Sequence, residues 1–188
     1  MKKLFSTSLF PVIVFFFTFS SNSTIVAGDA PKLVGVKTCG MCHKKDAEGN
    51  QLKVWQDSKH ANAYKTLQSE EADKIAKDKG IDGKAAEAKE CLVCHASGYD
   101  VDASLLAKNF KVEEGVQCET CHGAGGKFKK KSTMKDHAKA VAAGLVEYKD
   151  EAAIKTQCVT CHNEESPTFK DFDFDKRWAE IAHDIPKK

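Results

Sequence analysis

All eight cysteines and four of the seven histidines fall into one pattern that occurs four times. The copies are Cys39-Gly40-Met41-Cys42-His43, Cys91-Leu92-Val93-Cys94-His95, Cys118-Glu119-Thr120-Cys121-His122 and Cys158-Val159-Thr160-Cys161-His162. On a turn of helix, residues three apart share a face, so both sulfurs of a copy can reach the two vinyl groups of one porphyrin edge. The histidine directly after the second cysteine then lies under the iron as its proximal axial ligand. Cys-x-x-Cys-His is the attachment signature of a c-type haem. The pattern predicts four covalently attached haem c groups with His43, His95, His122 and His162 on their irons.

Two other chemistries use paired cysteines. Structural zinc takes two pairs, or a pair with two spaced histidines, and gives no reason for a histidine after every second cysteine. A disulfide framework suits an exported chain but leaves the same histidines unexplained.

Three histidines remain, His60, His137 and His183. Low-spin haems that transfer electrons take a second axial ligand, commonly histidine or methionine. Each spare histidine is therefore a candidate distal ligand. Four irons and three histidines leave one iron without a histidine. Met41 sits inside its own attachment loop and cannot reach the far face of that haem. Met134 stands three residues before His137 and is the methionine alternative.

The first 27 residues read as a secretory signal peptide: Lys2-Lys3, an apolar block from Leu4 to Phe19, then small and polar residues to Ala27. Ser6, Thr7, Ser8 and Pro11 leave the block short for a spanning helix, so membrane attachment is expected only if the leader stays uncleaved. Such a leader directs the chain to the periplasm or beyond, where c-type haems are attached. Residues 28–188 then form one tetrahaem domain by length.

Removing Lys2 and Lys3 balances the basic residues against the 27 acidic ones, and six of eleven phenylalanines leave with the leader. The mature chain is short of core-forming side chains, so four large apolar haem discs are expected to complete its interior. Their propionates make the holoprotein acidic. Lys127, Lys129, Lys130, Lys131 and Lys135 form a basic run, and Asp171, Asp173 and Asp175 an acidic one. The basic run reads as a solvated loop or a dock for an acidic redox partner; nucleic acid is not an expected partner.

The elements that must position these groups are mostly helices. Val54, Trp55, Ala61, Tyr64 and Leu67 predict a helix over 51–79 that contains His60 and ends at Gly80. Further helices are expected over 85–95, from Ser132 or Thr133 to Val141 with His137 inside, from Asp150 into the fourth motif, and from Asp173 or Asp175 with Trp178, Ile181 and His183 on it. The Gly123 to Gly126 run lacks the lysine and serine of a P-loop and reads as backbone passing close to a haem face. Phe169, Phe172 and Phe174 are expected to cover a haem edge. The motif spacing is uneven, so no fixed repeat is present. The fold class is mostly α, with short helices and long loops wrapped around four haems and little or no sheet.

The chain resembles the tetrahaem cytochrome c-554 family. The resemblance rests on the first motif followed by Trp55-Gln56-Asp57-Ser58-Lys59-His60-Ala61. It continues in Gly115-Val116-Gln117 before the third motif, the Cys-His-Gly-Ala-Gly run after it, His137, and the last helix with His183. It implies three haems with two histidine ligands and an open distal face on the second, here the haem of Cys91, Cys94 and His95. It also implies close, partly parallel haem pairs and an exported carrier of single electrons between other redox proteins. A reductase of a small ligand such as nitric oxide at the open haem is the enzymatic alternative. A haem filament completed by a neighbouring chain is the structural one. The oligomeric state is left open.

Overall fold

Gly35, at φ 81°, turns the chain into the first helix, α1 (Val36–His43), which carries the first motif. The computed structural model describes residues 30–183, and the expected leader lies outside them. α1 packs on α2 (Gln51–Asp57). Gly40 has no room for a side chain, because a Cβ there would stand 2.8 Å from Leu52 Cδ2.

The helix expected over 51–79 is broken into pieces. Ser58 is extended (φ −82°, ψ 162°), and its hydroxyl turns back to Trp55 O at 2.7 Å, which stops α2. A 3₁₀ turn (Lys59–Asn62), α3 (Ala63–Thr66) and α4 (Glu70–Asp78) follow. Ser69 caps α4 by accepting from Ala72 N at 3.1 Å. His60 therefore stands on a 3₁₀ turn rather than inside a long helix.

α5 (Lys89–His95) bears the second motif and is shorter than the expected 85–95. A long connection holds 3₁₀ turns at Ala103–Leu105 and Val112–Glu114, then α6 (Cys118–His122) is the third motif itself. The single helix expected around His137 is two, α7 (Lys131–Met134) and α8 (His137–Ala142). Asp136 rather than Ser132 or Thr133 caps α8, accepting from Lys139 N at 3.1 Å, so His137 is its first residue. α9 (Glu151–Cys158), capped by Asp150, delivers only the first cysteine of the fourth motif; the rest lies on the next turn. α10 (Phe174–Ile181) is capped by Asp173; the helix stops where Ala182 turns to ψ 136°, so His183 stands two residues past its end rather than on it as expected.

The fold is mostly helical. Among the described residues there is no strand, only a parallel bridge between Leu33 and Leu106. The buried apolar residues among them are Val34, Val36, Leu67, Phe110, Phe128 and Phe174 with five alanines. An alanine buries little area, so the chain's own side chains supply a small core.

Candidate haem-binding site

The four motifs come together in two pairs. The thiols of Cys39 and Cys118 lie beside each other, joining motifs one and three. Interaction with the Cys118 thiol, then burial, pushes the Cys39 thiol far up; interaction with Cys39 holds Cys118 down. Cys94 and Cys161 do likewise for motifs two and four, and burial followed by Cys161 pushes Cys94 up to about 11. The pairs adjoin through Cys121, raised to about 11 by burial and then by Cys158. Every cysteine is a free thiol, which removes the disulfide reading for this structure. Among the described residues no three Cys, His, Asp or Glu side chains converge on a common ion, as a structural zinc site requires.

The histidines follow the same order. His60 and His162 have ring centres 6.1 Å apart, and His122 and His183 5.8 Å apart. Two imidazoles gripping one metal from opposite sides at about 2 Å per bond place their ring centres about 6 Å apart. Both pairs thus fit an iron between them, each joining a motif histidine to a spare one. Burial first, and then the facing His162, lowers the affinity of His60 for a proton. Burial and then His183 do the same to His122. Both favour the neutral imidazole, the form that ligates.

Hydrogen bonds select which nitrogen is offered. A carbonyl or amide oxygen only accepts, so a ring nitrogen beside one carries the proton and leaves the other for metal. His95 Nδ1 donates to Ala63 O at 2.9 Å, His43 Nδ1 to Gln51 Oε1 at 3.3 Å and His183 Nδ1 to Ile181 O at 3.0 Å. Each therefore presents Nε2. His137 is the exception. It is exposed, donates Nε2–H to Glu147 Oε1 at 2.6 Å, and is not brought opposite a motif histidine. Met41 is 64% exposed and Met134 is half-buried.

The stretches flanking these histidines hold one another. Trp55 Nε1 donates to Val116 O at 2.7 Å, and Val116 N donates to His60 O at 3.0 Å. Gly115 is pressed against His60 so closely that a Cβ would lie 2.5 Å from His60 O. Phe172 stacks on His162 at 4.6 Å and 13°, so one of the three expected aromatic covers lies directly on a ligand ring. Phe174 instead stacks on Trp178 at 6.3 Å and 5°, inside the core. The glycine run meets protein backbone: Gly126 N donates to Lys32 O at 2.9 Å, and a Cβ there would lie 2.7 Å from Lys32 N.

Several residues of the site carry no motif signal. Tyr148 donates to Cys121 O at 2.8 Å, and burial, then Cys121, pushes its phenol up to about 12. Ser97 bonds the Thr120 hydroxyl and accepts from Gln117 N at 2.7 Å, tying motif two to motif three. Gln117, 2% exposed, accepts from Val36 N at 3.2 Å and donates to Lys111 O at 2.8 Å. Glu119 is 6% exposed and its carboxylate meets Val34 N, Gly35 N and Gly125 N at 2.6–2.9 Å. The glycines after the third motif were the available clue to Glu119, since a carboxylate gathering amides needs backbone at close range.

The family model described as Cytochrome c554 and c-prime matches residues 38–123, which hold the first three motifs. Cytochrome c-554 of Nitrosomonas europaea is 31% identical over 156 residues, covering 78% of this chain and 63% of that protein. The chain thus spans less than two thirds of the length of this relative. No solved structure matches at a comparable level of significance.

Proposed function

The chain belongs to the cytochrome c-554 family, and on that premise we propose that it is an exported tetrahaem c-type cytochrome that carries single electrons between redox proteins. Haem supplies the one-electron chemistry when bound. The chain's own contribution is attachment, axial ligation and spacing. Cys39 and Cys42, Cys91 and Cys94, Cys118 and Cys121, and Cys158 and Cys161 attach one haem each. His43, His95, His122 and His162 ligate from the proximal side.

His60 opposite His162 and His183 opposite His122 serve as distal ligands, and the ring separations of 6.1 and 5.8 Å are the observation that carries the reading. The family resemblance implies that the haem of His95 is the open one, which gives His137 to the haem of His43. Its Nε2 is engaged by Glu147, so it offers Nδ1. His95 is left without a histidine opposite it. The approach of Cys39 to Cys118 and of Cys94 to Cys161, with Cys121 and Cys158 at the junction, supports two close haem pairs. That order gives an electron a continuous route.

Residues 1–27 act as the secretory leader, and 28–188 form the haem domain. Among the described residues no helix is long and apolar enough to cross a membrane. The test is the mass of the denatured holoprotein, which should correspond to four thioether-bound haems after acid–acetone extraction. Replacing Cys118 and Cys121 together by Ala should remove one. Zinc in place of iron, or haem lost on extraction, refutes the assignment.

A further inference from the structure

Glu119 occupies a filler position of the third motif, yet it is among the most buried polar side chains described. Oε1 accepts from Gly125 N at 2.6 Å and Val34 N at 2.9 Å; Oε2 accepts from Val34 N at 2.9 Å and Gly35 N at 2.8 Å. Both oxygens only accept, which is the hydrogen-bond pattern of the ionised carboxylate. The donors to its two oxygens are the backbone amides of Val34, Gly35 and Gly125.

Its position joins two motifs. Glu119 is next to Cys118, and it holds the amides that lead into α1, four residues before Cys39. Gly35 is the N-cap of α1 and has no side chain to cap with, so this carboxylate stands at the positive end of that helix dipole. Its charge also acts on both Cys39 and Cys118. A haem edge joined to either sulfur would therefore lie beside a buried carboxylate held by neutral amides. Ferric haem carries one more positive charge than ferrous haem, so such a charge favours the ferric state, and burial limits its screening.

We propose that Glu119 is a positioning residue that locks the first motif onto the third and, through its charge, lowers the potentials of the haems on those two motifs together. This rests on the reading that all four motifs carry haem. It sets motifs one and three apart from two and four, where no described carboxylate is held in this way between two motifs.

Redox titration of the holoprotein, followed by the resonance signals of individual haems, tests it. The motif-three haem is identified as the one that His183→Ala perturbs. Glu119→Gln keeps an acceptor for the amides and removes the charge. Two of the four haems should become easier to reduce by roughly tenfold each, about 59 mV for a one-electron couple, with the other two unmoved. Glu71→Gln, an exposed charge removed from α4, should leave all four in place. If Glu119→Gln does not assemble, redox-difference infrared spectra of the wild type replace it. A carboxylate band that moves in Glu119→Asp should then respond when these haems are reduced. Four potentials shifting alike, none shifting, or an infrared response without that band overturns the proposal. Fewer than four haems in wild-type protein overturns the tetrahaem reading, and this inference with it.

Discussion

His183 lies two residues beyond the end of α10, yet its ring centre stands 5.8 Å from that of His122, at 56° between the planes. The helix behind it is what fixes it there. Phe174 is 6% exposed, stacks on Trp178, and has the Lys155 ammonium 5.9 Å from its ring centre, so α10 is anchored at its first turn against α9. The proposed distal ligand is thus placed by packing at the far end of a two-turn helix.

Replacing His183 by Ala should convert one haem of the four from low to high spin. His60→Ala should convert a different one. In each case the potential of that haem should rise, because a nitrogen donor that favours ferric iron has been removed. Optical and resonance spectra of the two variants read this directly. The same haem changing in both, or neither changing, would break the pairing with His122 and His162.

Phe174→Ala should cost about 3–5 kcal/mol in denaturant unfolding of the holoprotein, the range for a buried aromatic removed from a core. It should also loosen α10 and raise the high-spin fraction of the haem that His183 serves. Loss of stability with all spin states intact would show that His183 is held by some other contact.

The motif cysteines and histidines could be named from local spacing alone, but not which motifs lie beside which. The spare histidines could be counted but not paired, since His60 meets His162 and His183 meets His122 across the whole chain. Ser58 was the clearest local miss. The apolar positions from Val54 to Leu67 keep a helical rhythm through it, while its hydroxyl ends α2 by returning to Trp55 O. Glu119 and Gln117 were invisible for another reason. Their burial arises from partners more than 80 residues away in the lead-in to α1, and motif spacing treats them as filler.

Trp55→Phe keeps the ring but removes the donor to Val116 O. It should lower holoprotein stability by about 1 kcal/mol, the net value of one such bond. The effect should reach the His60 haem, because Val116 N also donates to His60 O. Unfolding curves and the spectrum of that haem check both. A variant as stable as the wild type would mean that Val116 O finds water instead.

The last prediction separates a carrier from an enzyme. On the proposed assignment of His60, His137 and His183 to the other haems, the iron on His95 has no histidine for its far side. His95 itself is fixed by the carbonyl of Ala63, which turns Nε2 towards the metal and keeps the proximal side rigid. One haem in four should therefore be high spin in the wild type, and the reduced protein should bind carbon monoxide or nitric oxide at that single site. Binding would not by itself make an enzyme, because an open iron can be incidental to electron transfer. Reduction of a bound ligand also needs protons delivered to it, and the motif places no dedicated acid beside the iron. Turnover should accordingly be slow while binding is readily measured. Rapid repeated turnover of nitric oxide would favour a reductase. Four low-spin haems that resist carbon monoxide would instead place Met134 or a histidine of a neighbouring chain on the iron of His95.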